Sequence, residues 1–180
     1  MGLFKKAPSP HQTALAMVGA RPGDRVLVAG RPDPAVVAEL ARTTGLSGQT
    51  LLAVAAAART PYQQAADDAG VLVEHADAGP EPAAIPDTTD PHDVVVLHFD
   101  LATLDEPARE ALAARAMSLL RPGGRVVVIE GRGVGGWFST RTAALAADAV
   151  MALLHRAGGL AVRPLGHVEG VSYFEARKSR

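Results

Sequence analysis

Residues 26–41 read VLVAGRPDPAVVAELA. Val26 to Ala29 form an apolar run with no polar alternation, as a strand buried on both faces requires. Gly30, Pro32 and Pro34 then force a tight turn. Asp33 followed by Pro34 is a helix start, with the carboxylate as N-cap and proline at the first helical position. Val36, Val37, Leu40 and Ala41 supply an apolar stripe at helical spacing, and Gly45 fits the stop. A buried strand, a tight turn and a helix are how nucleotide-type cofactor sites begin. This turn, however, has one glycine and two prolines where such a site needs several glycines.

The same alternation continues outward. A short helix is predicted from His11 to about Val18, and the first strand from Arg25 to Ala29. TLLAVA (50–55) is the second strand. Thr60-Pro61-Tyr62-Gln63 has the form of a capping box, which predicts a helix from Pro61 to Ala69 that stops at Gly70. VLVEHA (71–76) and DVVVLH (93–98) are strands three and four, separated by a Pro- and Asp-rich loop from Asp77 to Asp93. Asp105 caps a helix to Leu120 with Leu112, Ala116, Leu119 and Leu120 inward. RPGG (121–124) then turns the chain into strand five, RVVVIE (125–130). A helix opening at Ser139 or Thr140 is expected to reach Ala157. LAVRPL (160–165) and VSYFEA (171–176) are joined by only five residues, so they must pair antiparallel. Strands alternating with helices imply a mostly parallel sheet covered on both faces.

Composition narrows the function. The chain has 180 residues, which points to a single domain over 1–180, with 1–10 as a flexible tail. Eighteen basic against 19 acidic residues leave a net charge of −1, which argues against a nucleic-acid partner. The absence of cysteine removes disulfides, thiolate metal sites and a thiol nucleophile. MGLFKKAPSP has no apolar run of secretory length, and no stretch approaches the roughly 20 residues of a membrane span. A cytoplasmic protein with no membrane partner is expected.

The ordered segments resemble the class I S-adenosylmethionine-dependent methyltransferase family. ALAARAMSLLRPGGRVVVIEG (111–131) is similar to the helix, L-x-PGG turn and fifth strand of its small-molecule, UbiE-like members. ARPGDRVLVAG (20–30) resembles the run into their first strand, and GLAVRPLGHVEGVSYFEARK (159–178) their closing hairpin. The resemblance implies an α/β three-layer Rossmann-like sandwich with a seven-stranded sheet of order 3-2-1-4-5-7-6, strand seven antiparallel. It also implies S-adenosylmethionine as cofactor and a small-molecule substrate. The family pattern at the first strand is roughly V-L-D-x-G-x-G-x-G. Here Val28 stands at the acidic position, Gly30 keeps the first glycine, and Pro32 and Pro34 replace the other two. The acid that ends strand two and holds the ribose is matched by Ala55; the acid after strand three, near the adenine, is retained as Asp77.

These correspondences make Gly30, Arg31, Ala55, Asp77 and His98 the candidate cofactor contacts, with Arg31 facing the methionine carboxylate. His98 and Asp100, directly after strand four, are the catalytic candidates: an imidazole titrates near neutral pH and a carboxylate can orient it. Each also has a structural alternative, such as a backbone-bonded histidine or a solvated turn residue. Glu130, ending strand five, either touches substrate or pairs with Arg132. Trp137-Phe138 forms a flap, a dimer contact or plain packing. His75-x-Asp77 and His98-x-Asp100 do not build a metal cluster, and no metal is expected. GRGVGG (131–136) follows strand five and so stands outside the dinucleotide-binding position. Two functions follow: a methyltransferase with an atypical or weakened cofactor site, or a non-catalytic binding or partner subunit of the same fold. Either is compatible with a homodimer or another protein partner.

Overall fold

The computed structural model describes residues 10–78, 85–88, 90–131 and 144–180. Its seven strands are β1 (Arg25–Gly30), β2 (Gln49–Val54), β3 (Glu74–Asp77), β4 (His92–Phe99), β5 (Leu120–Glu130), β6 (Leu160–Val168) and β7 (Val171–Arg177). They form one sheet of order β3-β2-β1-β4-β5-β7-β6. The first five are parallel, and β7 runs antiparallel to both β5 and β6. This is the α/β order that the resemblance implies. The switch in strand order falls between β1 and β4.

Alternating side chains on each strand feed two cores. Val26, Val28, Val94 and Val96 pack under helices α1 (Pro10–Val18), α2 (Pro34–Thr44) and α3 (Thr60–Ala69). Leu27, Ala29, Val95 and Leu97 pack under α4 (Glu106–Ser118) and α5 (Ala147–Arg156). Apolar side chains on both faces of each central strand explain the continuous Val and Leu runs. The helix starts at Asp33 and Asp105 form as predicted: Asp33 accepts the Ala35 N–H at 2.8 Å and Asp105 the Ala108 N–H at 2.9 Å. Among the described residues no helix is long and apolar enough to cross a membrane.

Several boundaries differ from the sequence reading. The capping box at Thr60 does not form; Arg59 is the N-cap of α3, its backbone is helical, and it makes no side-chain cap bond. A short 3-10 helix, Ala56–Ala58, takes up the residues after β2. β3 begins at Glu74 instead of Val71, because the Val71 N–H is still tied to Ala66 O at the left-handed Gly70. RPGG lies inside β5 as an irregularity, since Leu120 already pairs with His92 before Arg125 pairs with Val94. α5 starts at Ala147 after an extended Ala146, so the residues just before it are not helical. The proposed start at Ser139 or Thr140, the tail at 1–9, Arg132 and Trp137-Phe138 lie outside the described residues. The β6–β7 link is two residues instead of five: Glu169 and Gly170 both have positive φ, 51° and 82°, as a tight two-residue hairpin needs.

The amino ends of the strands are closed by ion pairs. Arg25 bonds Asp90 at 2.9 Å, Arg121 pairs with Asp93, and Asp93 also accepts the Arg25 N–H at 2.8 Å. A cavity of about 560 Å³ lies among these groups, at the edge opposite the strands' carboxyl ends. His92 is buried beside it, and burial followed by the Arg25 charge lowers its pKa to about 4. The folded chain therefore keeps His92 neutral where the unfolded chain protonates it near pH 6.5. Stability is retained above about 6.5 and falls as pH drops toward 4, because the unfolded state then binds the extra proton. Urea unfolding at pH 7 and pH 4.5 should show His92 contributing roughly 2 kcal/mol of loss in wild type. His92→Gln should remove that share of the pH dependence.

Candidate functional site

The carboxyl ends of β1, β2, β3, β4 and β5 form the rim where open α/β sheets place ligands. Gly30, the last residue of β1, lies beside His98 of β4 in the sheet register. Its φ is +107°, and a Cβ there would stand 2.0 Å from His98 O. No side chain could occupy that space, so only glycine lets the two strand ends close. The closure is sealed by the next residue: the Arg31 N–H donates to His98 O at 2.8 Å.

The rest of the turn is held just as firmly. Pro32 is buried, and its carbonyl accepts the Tyr62 hydroxyl at 2.9 Å from α3. Burial, then the Asp33 charge, raises the Tyr62 pKa, with Arg31 opposing, so the phenol remains a donor. Asp33 caps α2 through Ala35 N–H and also meets His11 Nε2 at 3.2 Å. Pro32 and Pro34 have no N–H to offer. The sequence reading named Tyr62 only as a spacer of the capping box and missed this bond, whose partner lies 30 residues away.

At the end of β2 stand Ala55 and the exposed Ala56–Ala58, a stretch with no polar side chain. Asp77 ends β3 opposite Val54, one residue before Ala55, so the structure brings these two predicted positions together. His98 shares the face of Val94 and Val96, toward α2, whereas Phe99 and Glu130 lie toward α4 and α5. Asp100 follows β4 and opens a short 3-10 helix, Leu101–Thr103. His98 and Gly30 are therefore neighbours, but Asp77 is separated from Gly30 by β2 and from His98 by β2 and β1.

Glu130 is 1% exposed. Its Oε2 accepts the Leu101 N–H at 2.9 Å and its Oε1 the Leu145 N–H at 3.0 Å. Burial raises its pKa; the N–H groups of Leu145, Leu101 and Ala102 oppose that, and the Asp100 charge adds to it. Glu130 thus pins the segment after β4 to the approach of α5. That long-range partnership is invisible in the local sequence. Among the described residues no group of three or more His, Asp or Glu comes together to hold a metal.

Class I methyltransferases supply the comparison in three dimensions. No protein-family model and no curated protein sequence matches the chain. Many solved structures do match. The S-adenosylmethionine-dependent methyltransferase SibL superposes with a TM-score of 0.69 at 18% identity, over 87% of this chain and 51% of that one. An O-methyltransferase family protein from Burkholderia thailandensis gives 0.63 at 14%, over 87% and 51%. The N-methyltransferase NodS from Bradyrhizobium japonicum WM9 gives 0.65 at 17%, over 94% of both chains. The chain has the class I methyltransferase fold, and it spans about half the length of the first two of these proteins. Where the resemblance calls for backbone donors and a ribose carboxylate, the ends of β1 and β2 carry an Arg31 N–H bonded to His98 O and the residue Ala55.

Gly30→Ala forces a Cβ onto His98 O and a strained φ on alanine, so chemical denaturation should show a loss of more than about 3 kcal/mol with no ligand present. Tyr62→Phe leaves the Pro32 carbonyl buried without its donor and should cost about 1–2 kcal/mol.

Proposed function

We propose that the chain is a methyltransferase-like protein of the small-molecule, UbiE-like kind whose site for S-adenosylmethionine is weakened. The observation behind this reading is the Arg31 N–H bonded to His98 O: the fold's cofactor loop spends its donor on the chain itself. Such a loop has little to give a methionine carboxylate. At the end of β2, Ala55 gives nothing to the ribose hydroxyls. Two charge-assisted hydrogen bonds are worth roughly 1.5–3 kcal/mol each, so losing both weakens binding about 10²- to 10⁴-fold. A micromolar site becomes one of about 0.1–10 mM.

In this reading the remaining contacts are Asp77 toward the adenine, Arg31 toward the methionine end, and the close-packed strand ends at Gly30 and His98. S-adenosylmethionine would supply an electrophilic methyl group. His98 and Asp100, just past β4, are the candidates to orient and deprotonate an acceptor. The protein would act in the cytoplasm on a small molecule, alone or as a homodimer. The second reading is a non-catalytic partner subunit that kept the fold and lost the cofactor, with which the bonded Arg31 N–H is also compatible.

Thermal unfolding with S-adenosylmethionine or S-adenosylhomocysteine separates the two, because a ligand of the folded state raises its stability. The weakened-site reading expects a rise of a few degrees that needs millimolar ligand and disappears in Asp77→Ala. Ala55→Asp, which returns an acceptor to the end of β2, should tighten binding at least ~10-fold. No rise at 10 mM in either wild type or Ala55→Asp would defeat this reading and leave the partner subunit.

A further inference from the structure

At the edge of the sheet opposite the rim, two leucines stand in water. Leu46 lies between α2 and β2, and Leu72 between α3 and β3; the first is fully exposed and the second 74% exposed. Both line one hollow of about 230 Å³, where α2 and α3 end and β2 and β3 begin. Of the three large apolar side chains exposed among the described residues, two meet here. A single exposed leucine is ordinary, but two on one hollow form a patch of the kind that partners cover. Gly45 and Gly70, which end the two helices, also line it. A Cβ added at either would meet nothing within 4 Å, so there is free space beside both.

The charge around the hollow is mostly of one sign. No Lys or Arg occurs from residue 60 to residue 108, where 11 of the 19 acidic residues fall. Glu74 lines the hollow and is exposed, with Oε2 accepting from Gln49 Nε2 at 2.7 Å. Asp67 and Asp68 are exposed in the last turn of α3, where they accept from Gln63 and Gln64 at 2.8 and 2.9 Å. Carboxylates there add to the negative end of the helix dipole instead of neutralising it. Arg42 is the one Lys or Arg in the lining, and it is committed to Glu39 and to Ala69 O, the latter at 3.1 Å.

We propose that this hollow docks a cationic amphipathic segment of a different protein, with its apolar side chains on Leu46 and Leu72 and its basic ones facing Asp67, Asp68 and Glu74. The sign of the charge selects the occupant. Nucleic acid and anionic membrane surfaces are repelled by such a face. A second copy is repelled as well, because a two-fold axis sets the face against itself. Lys or Arg side chains, by contrast, meet carboxylates and a helix end, while leucines meet leucines. The face lies at the amino ends of β2 and β3, so an occupant leaves the carboxyl rim free. The inference therefore does not depend on S-adenosylmethionine binding and holds for an enzyme and a partner subunit alike.

Calorimetric titration of the whole chain at physiological salt tests it. The probes are an amphipathic Leu–Lys peptide, its Leu–Glu counterpart, a Ser–Lys peptide of equal charge, and phosphatidylserine vesicles. The Leu–Lys peptide should bind one to one and at least ~10-fold more tightly than either other peptide. Leu46→Ser with Leu72→Ser should weaken it at least ~10-fold, and so should Asp67→Lys with Asp68→Lys. These side chains are exposed, so both variants should melt with the wild type and bind S-adenosylhomocysteine as it does. Binding that survives either pair of substitutions would overturn the inference. So would a Leu–Glu or Ser–Lys peptide that binds as tightly, or vesicle binding that needs the two leucines. A dimeric mass by light scattering that becomes monomeric in Leu46→Ser with Leu72→Ser would overturn it in favour of a second copy. None of these results bears on the S-adenosylhomocysteine titration, so this inference and the proposed function fail separately.

Discussion

The contact between Gly30 and His98 is the constraint on which the rim depends. A Cβ at Gly30 would stand 2.0 Å from His98 O, so β1 and β4 can meet at the switch point only because residue 30 has no side chain. Once they meet, the Arg31 N–H is directed at the same carbonyl, and the turn to α2 has one course. Tyr62 then finds Pro32 O, and Asp33 finds both its own helix and His11. Retention of the glycine thus has a cause inside the protein, independent of any cofactor.

That arrangement leaves parts of the rim already satisfied. At the β4–β5 end, Glu130 is fully engaged with backbone N–H groups and acts as a peg between two segments. At the β1 end the turn is bonded to the chain. The amino ends of the strands are likewise occupied by Arg25, Asp90, Asp93 and Arg121 pairing with one another. Buried polar atoms with no partner remain at both ends of the sheet, at Arg59 and His75 beyond β2 and β3 and at Arg25, Gln49 and His92 on the amino side.

The fold was readable because its signals are local or periodic. Val26–Ala29 and Val94–Leu97 announce strands buried on both faces, and Asp33-Pro34 and Asp105 announce helix starts whose caps close within three residues. The misplaced boundaries come from competition that a short window cannot see. Thr60 has the right spacing for a capping box, yet the chain becomes helical one residue earlier, at Arg59. Glu169 tolerates a positive φ, so the last two strands extend to a two-residue turn. The site was less legible. Gly30, Ala55, Asp77 and His98 could be placed on strand ends by resemblance. The bonds that define the site, Tyr62 to Pro32 and Glu130 to Leu101 and Leu145, span 15 to 30 residues and leave no local pattern.

The central claim is that the turn after β1 is bonded to the protein itself and not held open for a ligand. Residue-resolved hydrogen exchange of the Arg31 amide tests this most directly. The account predicts strong protection without ligand, lost in Tyr62→Phe more readily than at Val28, and unchanged when millimolar S-adenosylhomocysteine is added. An Arg31 amide that exchanges freely in the ligand-free protein and becomes protected only with S-adenosylhomocysteine would contradict it.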